Sequence, residues 1–290
     1  MENIEKISIW DKNYPKVLKE IKIPPQILYV KGEIFAEENC FGIVGTRRCT
    51  NYGKQITEEL TADLIDAGLT IVSGMARGID TVAHKTAVSR KKRTIAILGS
   101  GIDERSIYPQ ENLKLAREIV KNGGAVISEF PVGDKGLPYH FPQRNRIISG
   151  LSLGVLVVEA KMKSGAMITA SWAADQGKDV FAVPGQINIP TSEGPNYLIK
   201  QGAKLVSDVN DILEELNLPL KKLEQKQTEI KADSAEEEKI LKILEEGPLH
   251  IDKIVEKTKL NTNIVSSTLL LMEVQKKVRN LGGNIYIIFR

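Results

Sequence analysis

Glycine and arginine recur together in this chain at intervals that suit the binding of an anion. The groups are Gly45-Thr46-Arg47-Arg48, Ser73-Gly74-Met75-Ala76-Arg77-Gly78, Gly99-Ser100-Gly101 and Lys163-Ser164-Gly165. Each follows a short apolar run and precedes a segment of helical spacing. Glycine accepts positive φ and lets backbone N–H groups come close to a ligand, while a helix N-terminus adds a positive end. One such corner also serves a tight strand–helix turn on geometry alone. Several on one rim, with Arg47 and Arg77 among them, point to a phosphate-bearing ligand. A further element is Phe141-Pro142-Gln143-Arg144-Asn145-Arg146. Two arginines near a helix start oppose the helix dipole unless an anion or carboxylate offsets them. Arg146 has an internal alternative, a pair with Glu129 or Glu159. Phe141 beside a basic rim suits stacking on an unpaired base, and it equally suits a core.

Other chemistries find little support. No GxGxxG follows the first strand, where GIVGTRRCTNYG stands, and SGMARGID occupies the place of a ribose-binding acid, so NAD or FAD is not expected. GxxxxGK[ST] does not occur, which excludes a P-loop nucleotidase. No Ser–His pair or carboxylate dyad stands out as a catalytic set, and His84 and His140 are far apart in sequence. With three histidines, two cysteines and no CxxC, no metal site is expected, and no cofactor. Cys40 and Cys49 are too few for a disulfide framework, which fits a reducing cytoplasm.

The elements that must hold these residues are legible from periodicity. FGIVG at 41–45, LTIVSG at 69–74, TIAILG at 94–99, AVIS at 125–128, GVLVVE at 154–159 and DVFAVPG at 179–185 are short apolar runs. Between them lie amphipathic segments. Ile56, Leu60, Leu64 and Ile65 share one face before Gly68, and Leu113, Leu115, Ile119 and Val120 are apolar before Gly123. This alternation predicts an α/β fold: a doubly wound, mostly parallel sheet of Rossmann-like type. The expected organisation is an N-terminal extension at 1–39 packing on a Rossmann-like domain at 40–216, a polar linker at 217–234, and a small domain at 235–290. The last has three short helices followed by a hairpin around Gly282-Gly283, the layout of a winged helix. Its third helix shows Asn263, Ser266 and Ser267 to solvent, and positive charge comes only at Lys276 and Lys277. Contact with DNA and contact with protein both remain open for this module.

Of 290 residues, 42% are hydrophobic and 27% charged, with a net charge of +3. That content supports a real core. No run approaches the ~18 apolar residues of a membrane span, and the N-terminus lacks the pattern of a secretory signal. Residues 1–216 carry 27 Lys and Arg against 26 Asp and Glu. Bulk charge therefore demands no polyanion; any such ligand must follow a narrow basic track.

GIVGTRRCTNYG, SGMARGIDTVAHKTA, TIAILGSGIDERSIYPQEN, ISEFPVG, FPQRNRIISGLSLGVLVVEAKMKSGAMITASWAADQGKDVFAVPG and GPNYLIKQGA follow one another in an order that resembles the DNA-processing protein A family (DprA, also called Smf). The likeness covers about residues 10 to 216, and GPLHIDKIVEKTKL resembles the winged-helix tail of many members. The resemblance implies an extended Rossmann-like domain that binds single-stranded DNA without cleaving it. It also implies loading of the RecA recombinase onto incoming strands in natural transformation, often with single-strand-binding protein present, and a homodimer formed through the Rossmann-like domain. Arg47 matches the family's phosphate-contacting arginine. Gly45, Thr46, Ser73, Gly74, Gly78, Gly99, Gly101, Ser164 and Gly165 match its pocket residues, and Phe141, Arg144, Asn145 and Arg146 its FPxRNR element. Many members carry an N-terminal helical domain, whereas this sequence starts almost directly at WDKNYPKVLKEIKIPP. The competing class is a related Rossmann-like enzyme that hydrolyses nucleoside monophosphates with a PGGxGTxxE motif. Here that corner reads KSGAMITA, without the glutamate.

Overall fold

Alternate residues of the central strands point to opposite faces of a sheet, and here they sort into two apolar layers. Cys40, Val44, Val72, Ile95, Ile97, Ile127, Val155 and Val157 face one layer. Phe41, Ile43, Ile71, Leu156 and Phe181 face the other. The computed structural model describes residues 4–220, 232–245, 247–275 and 277–288. They fall into two units, Met1–Lys221 and Lys222–Arg290.

The first unit runs β1 (Glu5–Ser8), α1 (Lys16–Lys19), β2 (Ile27–Gly32), β3 (Cys40–Val44), α2 (Asn51–Asp66), β4 (Thr70–Ser73), α3 (Ile79–Ser89) and β5 (Thr94–Leu98). It continues α4 (Leu113–Lys121), β6 (Ala125–Ser128), α5 (His140–Leu151), β7 (Gly154–Val157), α6 (Gly165–Asp175), β8 (Asp179–Ala182), α7 (Glu193–Lys200), β9 (Lys204–Leu205) and α8 (Val209–Glu215). The strands form one nine-stranded sheet in the order β1-β2-β6-β5-β4-β3-β7-β8-β9. Pairing is parallel from β6 to β9, and antiparallel for β1 with β2 and β2 with β6. The mostly parallel, doubly wound fold expected from the alternation is therefore present. Helices α1, α5 and α6 cover one face, through Leu18, Ile147, Ile148, Leu151, Ala166, Ala170 and Ala173. Helices α2, α3 and α8 cover the other, continued by α4 through Leu115, Ala116 and Ile119.

Residues before Cys40 do more than rest on the sheet. They supply two of its strands, and Tyr14, Leu18 and Ile21 are buried in the same layer as α5. The Tyr14 hydroxyl donates to the carbonyl of Pro25 at 2.7 Å, which satisfies the one polar atom of that buried ring.

The second unit contains α9 (Ala235–Leu244), β10 (Leu249–His250), α10 (Ile251–Thr258), α11 (Thr262–Val274), β11 (Val278–Asn280) and β12 (Ile285–Ile288). Its strands are ordered β10-β12-β11, and Ile240, Leu244, Ile254, Val265, Leu269 and Met272 make its core. Three helices and a hairpin give the winged-helix layout, with β10 as a short third strand. Residues 221–231 of the expected linker lie outside the described residues, as does Lys276.

Candidate functional site

In an open α/β sheet the usual ligand crevice lies where strand order reverses, outside the carboxyl ends of the two strands concerned. Here that point is between β3 and β7. It is filled by the protein itself. Glu159, 3% exposed, lies just after β7, and its carboxylate accepts from the Thr50 N–H at 2.9 Å and the Thr50 hydroxyl at 2.7 Å. The Thr46 N–H donates to the Glu159 carbonyl at 2.6 Å. A Cβ on Gly53 would lie 2.2 Å from Glu159 Oε2. The positive N-terminus of α2, where a dinucleotide would place its pyrophosphate, thus already holds an anion.

The open cleft lies beside it, over the ends of β4 and β5. Arg47, Gly74, Ala76, Arg77, Tyr108, Pro109, Phe141 and Arg144 line about 370 Å³ of space open to solvent. Its floor is the turn after β4, and several backbone groups of that turn are held by side chains. The Gly74 and Ala76 N–H groups donate to Asp80 Oδ2 at 3.2 and 3.3 Å. The Gly74 carbonyl accepts from Arg144 Nη1 at 2.8 Å, and the Met75 carbonyl from Asn112 Nδ2 at 2.8 Å. A Cβ on Gly74 would come within 2.8 Å of both Arg144 Nη2 and Asp80 Oδ2, so only glycine fits between them. Gly78 has φ 74°, and a Cβ there would lie 2.2 Å from the Thr46 carbonyl. That close approach ties the first two corners together.

Charge at the floor is set by burial. Arg144, at 5% exposure, also donates to the Ile97 carbonyl. Burial lowers its pKa to about 10, with Asp80 opposing that shift and Arg47 adding to it, so it stays cationic at neutral pH. Desolvation pushes the Asp80 carboxyl up to about 6, against the Arg144 charge and the N–H groups of Ala76, Gly74 and Gly45. His84 lies one helical turn on and is pushed down to about 3, chiefly by burial. It is neutral at physiological pH. Above this floor, Tyr108 and Phe141 meet edge-on with ring centroids 5.6 Å apart. Both are cleft walls.

The expected site residues separate into groups. Arg47, Gly74, Arg77, Phe141 and Arg144 line the cleft, with Arg77 Nε also donating to Glu111 at 2.6 Å. Gly45, Thr46, Ser73, Gly78, Gly99 and Gly101 shape its supports. Gly45 leaves room for Ile79 and Gly99 for Phe141; the Ser73 hydroxyl donates to the Ile43 carbonyl at 2.6 Å; the Gly101 N–H donates to the Asp134 carbonyl at 2.8 Å. Asn145 bridges outward: it accepts from Arg144 Nε at 3.2 Å and donates to the Gly165 carbonyl at 3.0 Å. Ser164 and Gly165 therefore stand at the start of α6, one residue beyond the cleft wall. Arg146 faces elsewhere. Its guanidinium is bound by Glu129 at 2.9 and 2.5 Å and donates to the Ile23 carbonyl at 2.9 Å, the internal pairing that competed with anion contact in the sequence. Ala76, Tyr108, Pro109, Asp80 and Glu111 were missed by sequence reasoning. The aromatic in SIYPQEN was the available signal for the first wall.

In the second unit, Lys277 is paired with Asp233 and Glu237, both at 2.6 Å. Helix α11 shows solvent the apolar side chains of Ile264, Leu270, Leu271 and Val274. Among the described residues no group of three or more His, Cys, Asp or Glu could hold a metal ion, and no helix is long and apolar enough to cross a membrane.

The model of a family described as DNA recombination-mediator protein A matches residues 5–217, and that of the DprA winged helix domain matches 224–284. The chain is 46% identical over 217 residues to the DNA processing protein DprA of Bacillus subtilis, covering 74% of this chain and 72% of that protein. It is 47% identical over 208 residues to protein Smf of Escherichia coli, covering 71% of this chain but 55% of that protein. Among solved structures, DprA from Streptococcus pneumoniae matches with a TM-score of 0.68 at 40% identity over 76% of each chain. DprA from Helicobacter pylori, whose structure concerns its single-stranded DNA binding mode, matches with a TM-score of 0.65 at 32% identity, covering 74% of this chain and 97% of that one.

Proposed function

The chain belongs to the DNA recombination-mediator protein A family, and from that premise we propose that its cleft binds single-stranded DNA without altering it. The observation that carries this reading is the meeting of Arg47, Arg77 and Arg144 with Tyr108 and Phe141 in one cleft. Cations that track phosphates, beside rings that stack on unpaired bases, are what affinity for a single strand needs, and neither reads sequence. Asp80 is tied to two N–H groups at the floor, and His84 is held neutral beneath it, so neither is placed as an acid or base for a bound nucleotide. The family, and the single-stranded DNA binding of the Helicobacter pylori relative, support the same reading. On this reading the protein holds incoming strands in the cytoplasm, works as a homodimer, loads RecA recombinase, and acts alongside single-strand-binding protein.

The test is affinity for oligothymidylate as a function of salt. Log K should fall linearly with log salt, by about 0.7 per phosphate contact for a single strand. Arg47→Ala should lose on the order of 1–3 kcal/mol, the range for a charge-assisted hydrogen bond. Normal binding by that variant would remove the first corner from the site. Incubation with nucleoside 5′-monophosphates should release no free base, and release would favour the hydrolytic reading.

A further inference from the structure

Antiparallel pairing turns the N-terminal strands so that their loops reach the ligand edge of the sheet. Tyr29 of β2 pairs with Ser128 of β6, which places the residues before Ile27 beyond the carboxyl end of β6. Ser8 of β1 pairs with Ile27, and the Ile9 N–H donates to the Gln26 carbonyl at 3.0 Å. The turn after β1 therefore opens on the same edge as the cleft. In strand order the edge reads β4, β5, β6, β2, β1. Four strand spacings of ~4.8 Å separate the floor of the cleft from this turn, about 19 Å.

At that far end stands Trp10, 87% exposed. The largest apolar side chain in the code is highly buried on average, and none of the described residues covers this one. Ile23, also exposed, follows Lys22 in the segment leading to Gln26, and Lys12 follows Trp10 by two residues. Lys12 and Lys22 make no ion pair among the described residues. Of the carboxylates in this region, Asp11 Oδ2 accepts from the Ser8 N–H at 2.7 Å, Glu129 is held by Arg146, and Glu20 lies two residues before Lys22. Arg146 also donates to the Ile23 carbonyl. The guanidinium thus fastens this loop to α5, the helix that carries Phe141 and Arg144 into the cleft.

We infer that Trp10, with Lys12 and Lys22, forms a second contact for the same single strand, a stacking platform at the end of a track that begins in the cleft. The occupant is single-stranded nucleic acid because the platform continues the edge of the cleft and pairs an open indole face with free ammonium groups. The inference rests on the proposed function of the cleft. A short oligonucleotide would fill the cleft alone, and a longer one would also cover the indole.

The chain has two tryptophans, Trp10 and Trp172, so Trp172→Phe leaves Trp10 as the only indole reporter. This variant would be titrated with oligothymidylates of about 4 and about 16 nucleotides, the span of single-strand site sizes. Anisotropy of an end-labelled oligonucleotide would report binding independently. We expect both lengths to bind, with the longer alone quenching Trp10 emission. Trp10→Ala should weaken the longer oligonucleotide about tenfold, in the range for one lost stacking contact, and leave the shorter unchanged. Trp10→Phe should restore most of the loss. Binding of the longer strand with unchanged Trp10 emission and normal affinity in Trp10→Ala would overturn the platform while leaving the cleft intact. Absence of anisotropy change at both lengths would overturn the cleft reading, and the platform with it.

Discussion

Asp80 shows how much one buried carboxylate can decide. It holds two N–H groups of the turn after β4 and lies against the Arg144 charge, yet burial raises its pKa from 3.8 to about 6. Between those values the folded protein holds a proton that the unfolded chain has released, so stability falls as pH rises through this window. His84 works the other way. Its pKa falls from 6.5 to about 3, so its contribution is lost as pH falls below 6.5. The two oppose each other in the wild type, and Asp80→Asn removes only the first. The melting temperature of the wild type relative to Asp80→Asn should therefore decline from pH 4 to about 6.5 and level off above. The energy involved is at most about 3 kcal/mol, from 1.36 kcal/mol per unit. A difference that does not change with pH in thermal melts would show that this carboxyl titrates normally.

At the scale of elements, the switch point matters more than any glycine. Glu159 gives α2 an internal carboxylate at its N-terminus, which leaves the open cleft one strand over, at the ends of β4 and β5. Glu159→Ala would leave the Thr50 N–H and hydroxyl without their buried acceptor, and should cost about 2–4 kcal/mol in urea unfolding. Glu159→Gln keeps an acceptor and should cost clearly less; equal midpoints for Glu159→Ala and wild type would mean that the carboxylate caps nothing. The alternation of apolar runs and helical faces made the parallel strands β3 to β8 readable, because strands buried on both faces are near-continuous in Val, Ile, Leu and Ala. It did not reveal β1, whose EKIS has one buried residue. Such an edge strand is defined by its partner's register, not by its own composition. The same limit hid the true partner of Glu159, which the sequence offered only to Arg146, and it hid Asp80. Each reads as an ordinary acid until folding brings it to a partner, at Thr50 from 109 residues away for the first and at the Gly74 turn for the second. Arg47 and Arg77 were readable because arginine beside glycine at a strand end is unusual, and Phe141 because it opens the FPQRNR segment with its two arginines.

For the molecule as a whole, near-neutrality limits how DNA can be held. A net charge of +3 supplies no general field, and on the proposed reading phosphate contacts come from the few cations on one edge. Arg47, Arg77 and Arg144 alone would give a log–log salt slope of about −2, and Lys12 and Lys22 would bring it to about −3.5. From the second unit we expect a small contribution. Lys277 is already paired with two carboxylates, and α11 from Thr262 to Val274 contains no lysine or arginine, while duplex-reading helices position themselves by such contacts. The first unit has its own apolar layers, so a chain ending at residue 220 should fold. It should bind oligothymidylate within about twofold of the full chain and with the same salt slope. A slope that flattened by one or more on truncation would place phosphate contacts in the winged helix. An unchanged slope would leave its exposed Ile264, Leu270, Leu271 and Val274 as the surface to be explained, and an uncharged apolar helix face is built to meet protein, not phosphate.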